Sequence, residues 1–212
     1  MQHRPQLFEQ LAERLRQPLP GLDAQMTMSP PLRGREVQVP PNARQSAVLV
    51  LLYPREGRLC LPLMERGADG QVHSGQISLP GGRRDPEDPD FAWTALRETH
   101  EEFGIPPEQV RLLGSLTELY IPPSNYLVYP QLGCLEAPPQ IIPHPREVAS
   151  VIEVELAHLL DDSIRSIRQV RASGSGFMVE TPVYTLYQQH CVWGATAMIL
   201  AELLTILREL NA

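Results

Sequence analysis

Lysine is missing from this chain altogether: all 18 basic residues among its 212 are arginine. That absence excludes a Walker-type phosphate loop and any lysine Schiff-base chemistry. Phosphate contacts would have to come from arginine, backbone N–H groups or a metal ion. Cysteine is scarce as well. Cys60, Cys134 and Cys191 are an odd number, widely spaced, with no C-x-x-C pair and no histidine spacing beside them. Neither a disulfide framework nor a zinc site follows, and buried free thiols are expected. Long apolar runs are also lacking: Ala47–Tyr53 and Ala195–Leu204 fall well short of the roughly 20 residues that span a bilayer. No membrane partner is expected. Within Met1–Arg16, charged His3, Arg4, Glu9, Glu13 and Arg14 are scattered among apolar positions, unlike the basic-then-apolar layout of a secretory signal, so the expected location is cytoplasmic. A formal charge of −7 argues against nucleic acid as a partner, because such surfaces are basic.

What is present suffices for one sizeable core, since 42% of the residues are hydrophobic. The expected organisation is an N-terminal helix and Pro-rich arm over residues 1–40, followed by one domain over 41–212. In the arm, Leu7, Phe8, Leu11 and Leu15 recur at helical spacing between Pro5 and Arg16, and Pro18–Pro41 reads as an irregular connection. Strands are predicted at Ala47–Tyr53, Leu59–Met64, Leu112–Tyr120, Tyr126–Leu135, Val148–Glu155 and Met178–Tyr187, with helices at Leu156–Leu160 and Thr196–Leu210. The class is α/β with a mixed sheet.

The middle of the chain carries the chemistry. From Asp88 to Gly104 the sequence has a start, an amphipathic body and a stop: Asp88 is suited to cap the first N–H groups, Pro89 to the first turn and Gly104 to the left-handed residue after the end. At about 100° per residue, Ala92, Leu96, Thr99 and Phe103 share one face, while Glu98, Glu101 and Glu102 fall within about 100° of arc beside it. Like charges at these spacings repel by a few tenths of a kcal/mol, so the pattern calls for a positive charge between them. Hard carboxylate oxygens suit Mg²⁺ or Mn²⁺, which bridge carboxylates to substrate phosphates. Upstream, Leu79-Pro-Gly-Gly-Arg83 follows the strand-like Gln76–Leu79, and its two glycines permit a tight bend and close backbone approach to a ligand.

Gly82, the acidic stretch Asp85–Asp88 and Arg97-Glu-Thr-His-Glu-Glu-Phe-Gly-Ile105 resemble the Nudix box, G-x5-E-x7-R-E-U-x-E-E-x-G-U with U apolar. The interval from Gly82 to Arg97 is one residue longer than that pattern, Asp88 replaces its glutamate, and Thr99 is only weakly apolar. The insertion is itself similar to the coenzyme A diphosphatase branch, as is Arg66 followed by His73-Ser-Gly-Gln-Ile-Ser-Leu-Pro-Gly-Gly82. Leu79 stands there where the branch has an aromatic. The resemblance extends through Pro122–Asn125 and Val192–Ala197, covering about Arg44–Leu207.

The resemblance implies a Nudix α/β/α sandwich with a mixed β-sheet and a catalytic strand-loop-helix. It implies that Glu98, Glu101, Glu102 and the Gly82 carbonyl ligate Mg²⁺ or Mn²⁺, with Arg97 positioning the carboxylates. It makes Glu147 the candidate loop base, with Glu101, Glu118 and Glu153 as alternatives, and assigns Arg66 and His73 to the substrate. Asp88 is read as a cap in preference to a ligand. The implied substrate is coenzyme A or a thioester of it, with ADP-ribose, dinucleotide polyphosphates, nucleoside triphosphates or a non-catalytic nucleotide sensor as alternatives. A homodimer follows by family analogy.

Overall fold

The computed structural model describes residues 4–31, 33–34, 37–67, 75–171, 177–187 and 190–210. Strand β1 (Arg44–Arg55) is the axis of the fold. Its run from Leu49 to Tyr53 is fully buried, as an uninterrupted apolar strand requires when both faces of its sheet are covered. Ala47, Leu49, Leu51 and Tyr53 pack with Ala95, Leu96 and Phe103 of α3 (Phe91–Phe103). On the opposite face, Val50 and Leu52 share a cluster with Phe8 and Leu11 of α1 (Arg4–Arg14) and with Leu200 and Leu204 of α5 (Gly194–Leu210). The two-residue period of the strand thus assigns alternate side chains to two helical layers.

Strand β1 runs antiparallel to β2 (Arg58–Arg66) across a turn in which Glu56 and Gly57 take φ of 48° and 84°. Strand β2 also pairs with β3 (Ile77–Ser78) and, after β4 (Gly81–Arg83), β5 (Arg111–Ser115), β6 (Leu119–Ile121) and β7 (Tyr126–Cys134), with β8 (Val148–Glu155). On its other side β1 is parallel to β7, from Arg44↔Tyr126 to Leu52↔Cys134, and antiparallel to β4. With β5 and β6 on β7, this makes an eight-stranded mixed sheet. After the short α4 (Leu156–Leu160), strands β9 (Arg165–Arg171), β10 (Met178–Thr185) and β11 (Cys191–Val192) form a three-stranded sheet. Among the described residues, no helix is long and apolar enough to cross a membrane.

The structure departs from the sequence expectations in several places. Within the Pro-rich connection lies a helix, α2 (Gly21–Met26), whose Ala24 and Gln25 are buried. Gln25 Nε2 donates to Glu202 Oε2 at 3.0 Å and to the Thr117 carbonyl at 2.9 Å. The single strand expected at Leu112–Tyr120 is two strands, broken at Thr117, whose N–H and hydroxyl both donate to Glu202. Finally, the cap of α3 is Asp90, not Asp88: Asp90 is extended (φ −152°) and its Oδ1 accepts the Trp93 N–H at 2.7 Å. Pro89 consequently lies ahead of the helix. Gly104 does take the left-handed conformation (φ 69°) and donates to the His100 carbonyl at 2.8 Å, as its position predicted.

Candidate active site

Strand β4 brings the glycine pair under α3. Gly81 holds φ 149°, and a Cβ on it would lie 2.3 Å from the Ala47 carbonyl oxygen. A Cβ on Gly82 would lie 2.4 Å from the Glu98 carboxylate. The close approach these glycines permit within the chain is to β1 and to Glu98, so two side-chain-free positions let the acidic helix sit directly on the sheet edge.

Arg97 organises the carboxylates. Its Nε and Nη2 donate to the two oxygens of Asp88 at 3.1 and 3.0 Å, and Nη2 also reaches the Arg83 carbonyl at 3.0 Å. Its Nη1 donates to Glu98 at 2.9 Å and to both oxygens of Glu101 at 3.2 Å. Asp88, 4% exposed, further accepts the Asp85 N–H at 3.0 Å and the Thr94 hydroxyl at 2.9 Å. The Arg97 hydrogen bonds hold the Asp88 carboxyl down at about 2, against the opposing effect of burial. What the sequence read as a helix cap is therefore the anchor of the guanidinium. The spacing of Asp88, Thr94 and Arg97 on and before one helix was the signal for it.

Glu102, on the same edge of the helix, has different partners. It is 1% exposed, its Oε2 accepts the Gly81 N–H at 2.7 Å, and its Oε1 is 3.7 Å from Nη2 of Arg66. Burial pushes its pKa up to about 8, with Arg66 and the Gly81 N–H offsetting part of that and Glu98 and Glu147 adding to it. Burial likewise raises Glu98, against the pull of Arg97. Glu147 is carried by a loop pinned to this end of the helix: the His144 N–H donates to the Glu102 carbonyl, and the Gly67 N–H to the Glu147 carbonyl, both at 2.8 Å. The Glu147 carboxylate is half exposed and 3.4 Å from His144 Nδ1. Of the alternatives, Glu118 is exposed, and Glu153 is engaged by the Tyr53 hydroxyl at 2.6 Å and Arg55 at 2.8 Å. His73 lies outside the described residues.

Glu98 and Glu101 thus meet around Arg97, Glu102 meets Arg66, and among the described residues no three acidic, histidine or cysteine side chains already close on one point. The donor set nonetheless fits a hard divalent cation. A buried and a partly buried carboxylate whose ionised forms are penalised, on the same helix edge as a half-exposed third, are groups that a cation would relieve.

The profile of the NUDIX domain matches residues 43–171, and the chain belongs to the Nudix hydrolase family. It is an enzyme of the kind that acts on diphosphate linkages in small nucleotide substrates, generally with divalent metal ions. It is 37% identical over 175 residues to the uncharacterized Nudix hydrolase NudL of Photorhabdus laumondii, covering 79% of this chain and 91% of that protein. Identity is 34% over 171 residues to a mitochondrial coenzyme A diphosphatase of Homo sapiens, covering 79% and 71% of the two chains. With a peroxisomal coenzyme A diphosphatase of Mus musculus it is 35% over 138 residues, covering 65% and 58%. The crystal structure of a Nudix hydrolase from M. smegmatis, RenU, shares the fold at 19% identity and a TM-score of 0.52, covering 87% of this chain and 92% of that one.

Proposed function

We propose that the chain hydrolyses the diphosphate linkage of coenzyme A or its thioesters, releasing 3′,5′-ADP and 4′-phosphopantetheine or its acylated form, with Mg²⁺ or Mn²⁺. The observation that carries this reading is similarity to coenzyme A diphosphatases along most of the chain, together with retention of Glu98, Glu101 and Glu102 on one helix edge. A domain that only sensed a nucleotide would have no need of that full carboxylate set.

Glu98, Glu101, Glu102 and the Gly82 carbonyl would hold the cation, which when bound would neutralise diphosphate charge and make the attacking water more acidic. Arg97, fixed by Asp88, sets the orientation of Glu98 and Glu101, so the carboxylates need little rearrangement to act together. Arg66, beside Glu102, offers guanidinium donors to a diphosphate oxygen, and His73 is assigned to the substrate on the family resemblance. Glu147 takes the proton of the attacking water, with His144 steering its carboxylate. The new bond is from water oxygen to phosphorus, the bridging P–O bond breaks, and the leaving phosphate departs as the anion.

Purified protein with Mg²⁺ or Mn²⁺ is to be offered coenzyme A, ADP-ribose, diadenosine polyphosphates and nucleoside triphosphates, with products resolved by chromatography. Metal-dependent formation of 3′,5′-ADP from coenzyme A, in preference to turnover of the others, is expected. Preference for another compound would overturn the substrate assignment, and turnover of none would favour a sensor.

A further inference from the structure

Beside the carboxylates lies a cleft of about 650 Å³ walled by Arg44, Gln45, Arg83, Arg84, Asp85 and the Pro41–Ala43 segment. Three arginines line it against a single acid, Asp85. Eight other arginines, from Arg14 to Arg208, are paired with carboxylates. Arg44, Arg83 and Arg84 have no carboxylate partner among the described residues. Arg44 donates Nη2 to the Ser124 carbonyl and lies 4.2 Å over the Tyr126 ring. Arg84 donates Nη2 to the carbonyls of Asp88 and Pro89 and lies 4.8 Å over Phe91, which in turn stacks on Tyr129 at 3.6 Å. Among the described residues, the exposed side chain of Arg83 makes no hydrogen bond or ion pair, while its backbone carbonyl accepts from Arg97. Carbonyls and aromatic faces fix two of these guanidiniums in place without neutralising them, and most of their five N–H donors each remain available.

The cleft adjoins the acidic helix through the backbone. Gly82, which touches Glu98, is followed directly by Arg83 and Arg84, so the basic wall begins about 4 Å of chain from the carboxylate site. Strand alternation turns Arg83 to the face opposite Gly82, and Arg84 returns to the α3 side over Phe91, so the pair grips the edge of β4 from both faces. The one acid in the wall, Asp85, has its carboxylate 3.8 Å from Arg97. A substrate whose diphosphate sits at Glu98 would therefore extend a second anion into a place that supplies positive charge and unused donors. Guanidinium forks match a phosphate monoester, and a volume of this size suits the nucleoside that carries it.

We propose that the cleft formed by Arg44, Arg83 and Arg84 binds a phosphate monoester that the substrate carries away from the linkage being cut, and so selects substrates that have one. This rests on the coenzyme A reading, in which that group is the 3′-phosphate of the adenosine half.

The test is calorimetric titration of 3′,5′-ADP and of 5′-AMP into the metal-loaded full chain, as wild type, Arg83→Ala and Arg44→Ala/Arg83→Ala, beside turnover of coenzyme A and 3′-dephospho-coenzyme A. Wild type is expected to bind 3′,5′-ADP at least about tenfold more tightly than 5′-AMP, as charge-assisted contacts imply. The variants should lose that preference. They should raise KM for coenzyme A but not for the dephospho compound, leaving kcat unchanged, whereas Arg16→Ala should alter nothing. A preference for 3′,5′-ADP that survives in the double variant, or that wild type lacks, overturns the cleft assignment whatever is hydrolysed. Absence of coenzyme A turnover alongside a preference abolished by the variants overturns the proposed function and leaves the subsite standing.

Discussion

Arg97 has four acidic side chains within reach, Asp85, Asp88, Glu98 and Glu101, and its place is set by the buried one. Asp88→Asn should loosen the guanidinium and lower kcat about tenfold with little change in KM, a split that steady-state kinetics reads directly. The same substitution has a pH signature. Because the folded carboxyl is held at about 2, below its ordinary 3.8, its contribution is present above pH 4 and is lost as pH falls through 4 towards 2. Urea unfolding should find wild type about 2 kcal/mol more stable than Asp88→Asn at pH 6, with the gap falling below about 1 kcal/mol by pH 2.5. Glu102 acts differently. Glu101→Gln and Glu102→Gln should each lower turnover by at least about 100-fold while the thermal melting curve keeps a cooperative transition. Near-wild-type rates in both variants would remove the proposed metal site.

At the scale of elements, the glycine strand separates stability from chemistry. Gly81→Ala places a methyl on the β1 backbone at a φ that side chains rarely take, and should cost about 2–3 kcal/mol of stability. Gly82→Ala meets the Glu98 carboxylate first, so activity should fall much further than the urea midpoint. Similar losses of stability in both would show that β4 has no separate catalytic side. The acidic helix was legible in the sequence because its signals are local: spacing of glutamates, a glycine stop, glycines before it. Its start was displaced by two residues because Asp88 and Asp90 offer the same cap chemistry, and only the distant Arg97 decides between them. Helix α2 was hidden by flanking prolines, and its burial depends on Glu202, far along the chain. Strand β9 was missed because one of its faces is exposed and Arg165, Arg168 and Arg171 obscure the alternation. The loop carrying Glu147 was found by resemblance; its attachment to Glu102 runs through backbone groups, which leave no trace in side-chain identity.

For the whole molecule, Glu202 is the joint between the N-terminal segment and the core. Fully buried, it accepts from Gly21 N at 3.1 Å, Gln25 Nε2 at 3.0 Å and Thr117 Oγ1 at 2.6 Å. Glu202→Ala strands those donors and should cost about 3 kcal/mol in urea unfolding, with kcat per folded molecule unchanged. Removing residues 1–42 uncovers the core around Phe8, Leu11 and Met28, and at about 2 kcal/mol for each large apolar side chain should leave a protein with a markedly lower melting temperature, although every carboxylate of α3 remains. Partners this far apart also bear on how the molecule is made. Gln25 and Glu202 are separated by 177 residues, and Arg14 from Glu209 by 195. At about 5–20 residues per second of synthesis, α1 and α2 leave the ribosome roughly 10–35 s before α5 is complete, and their apolar faces stay open to chaperones and proteases throughout that interval.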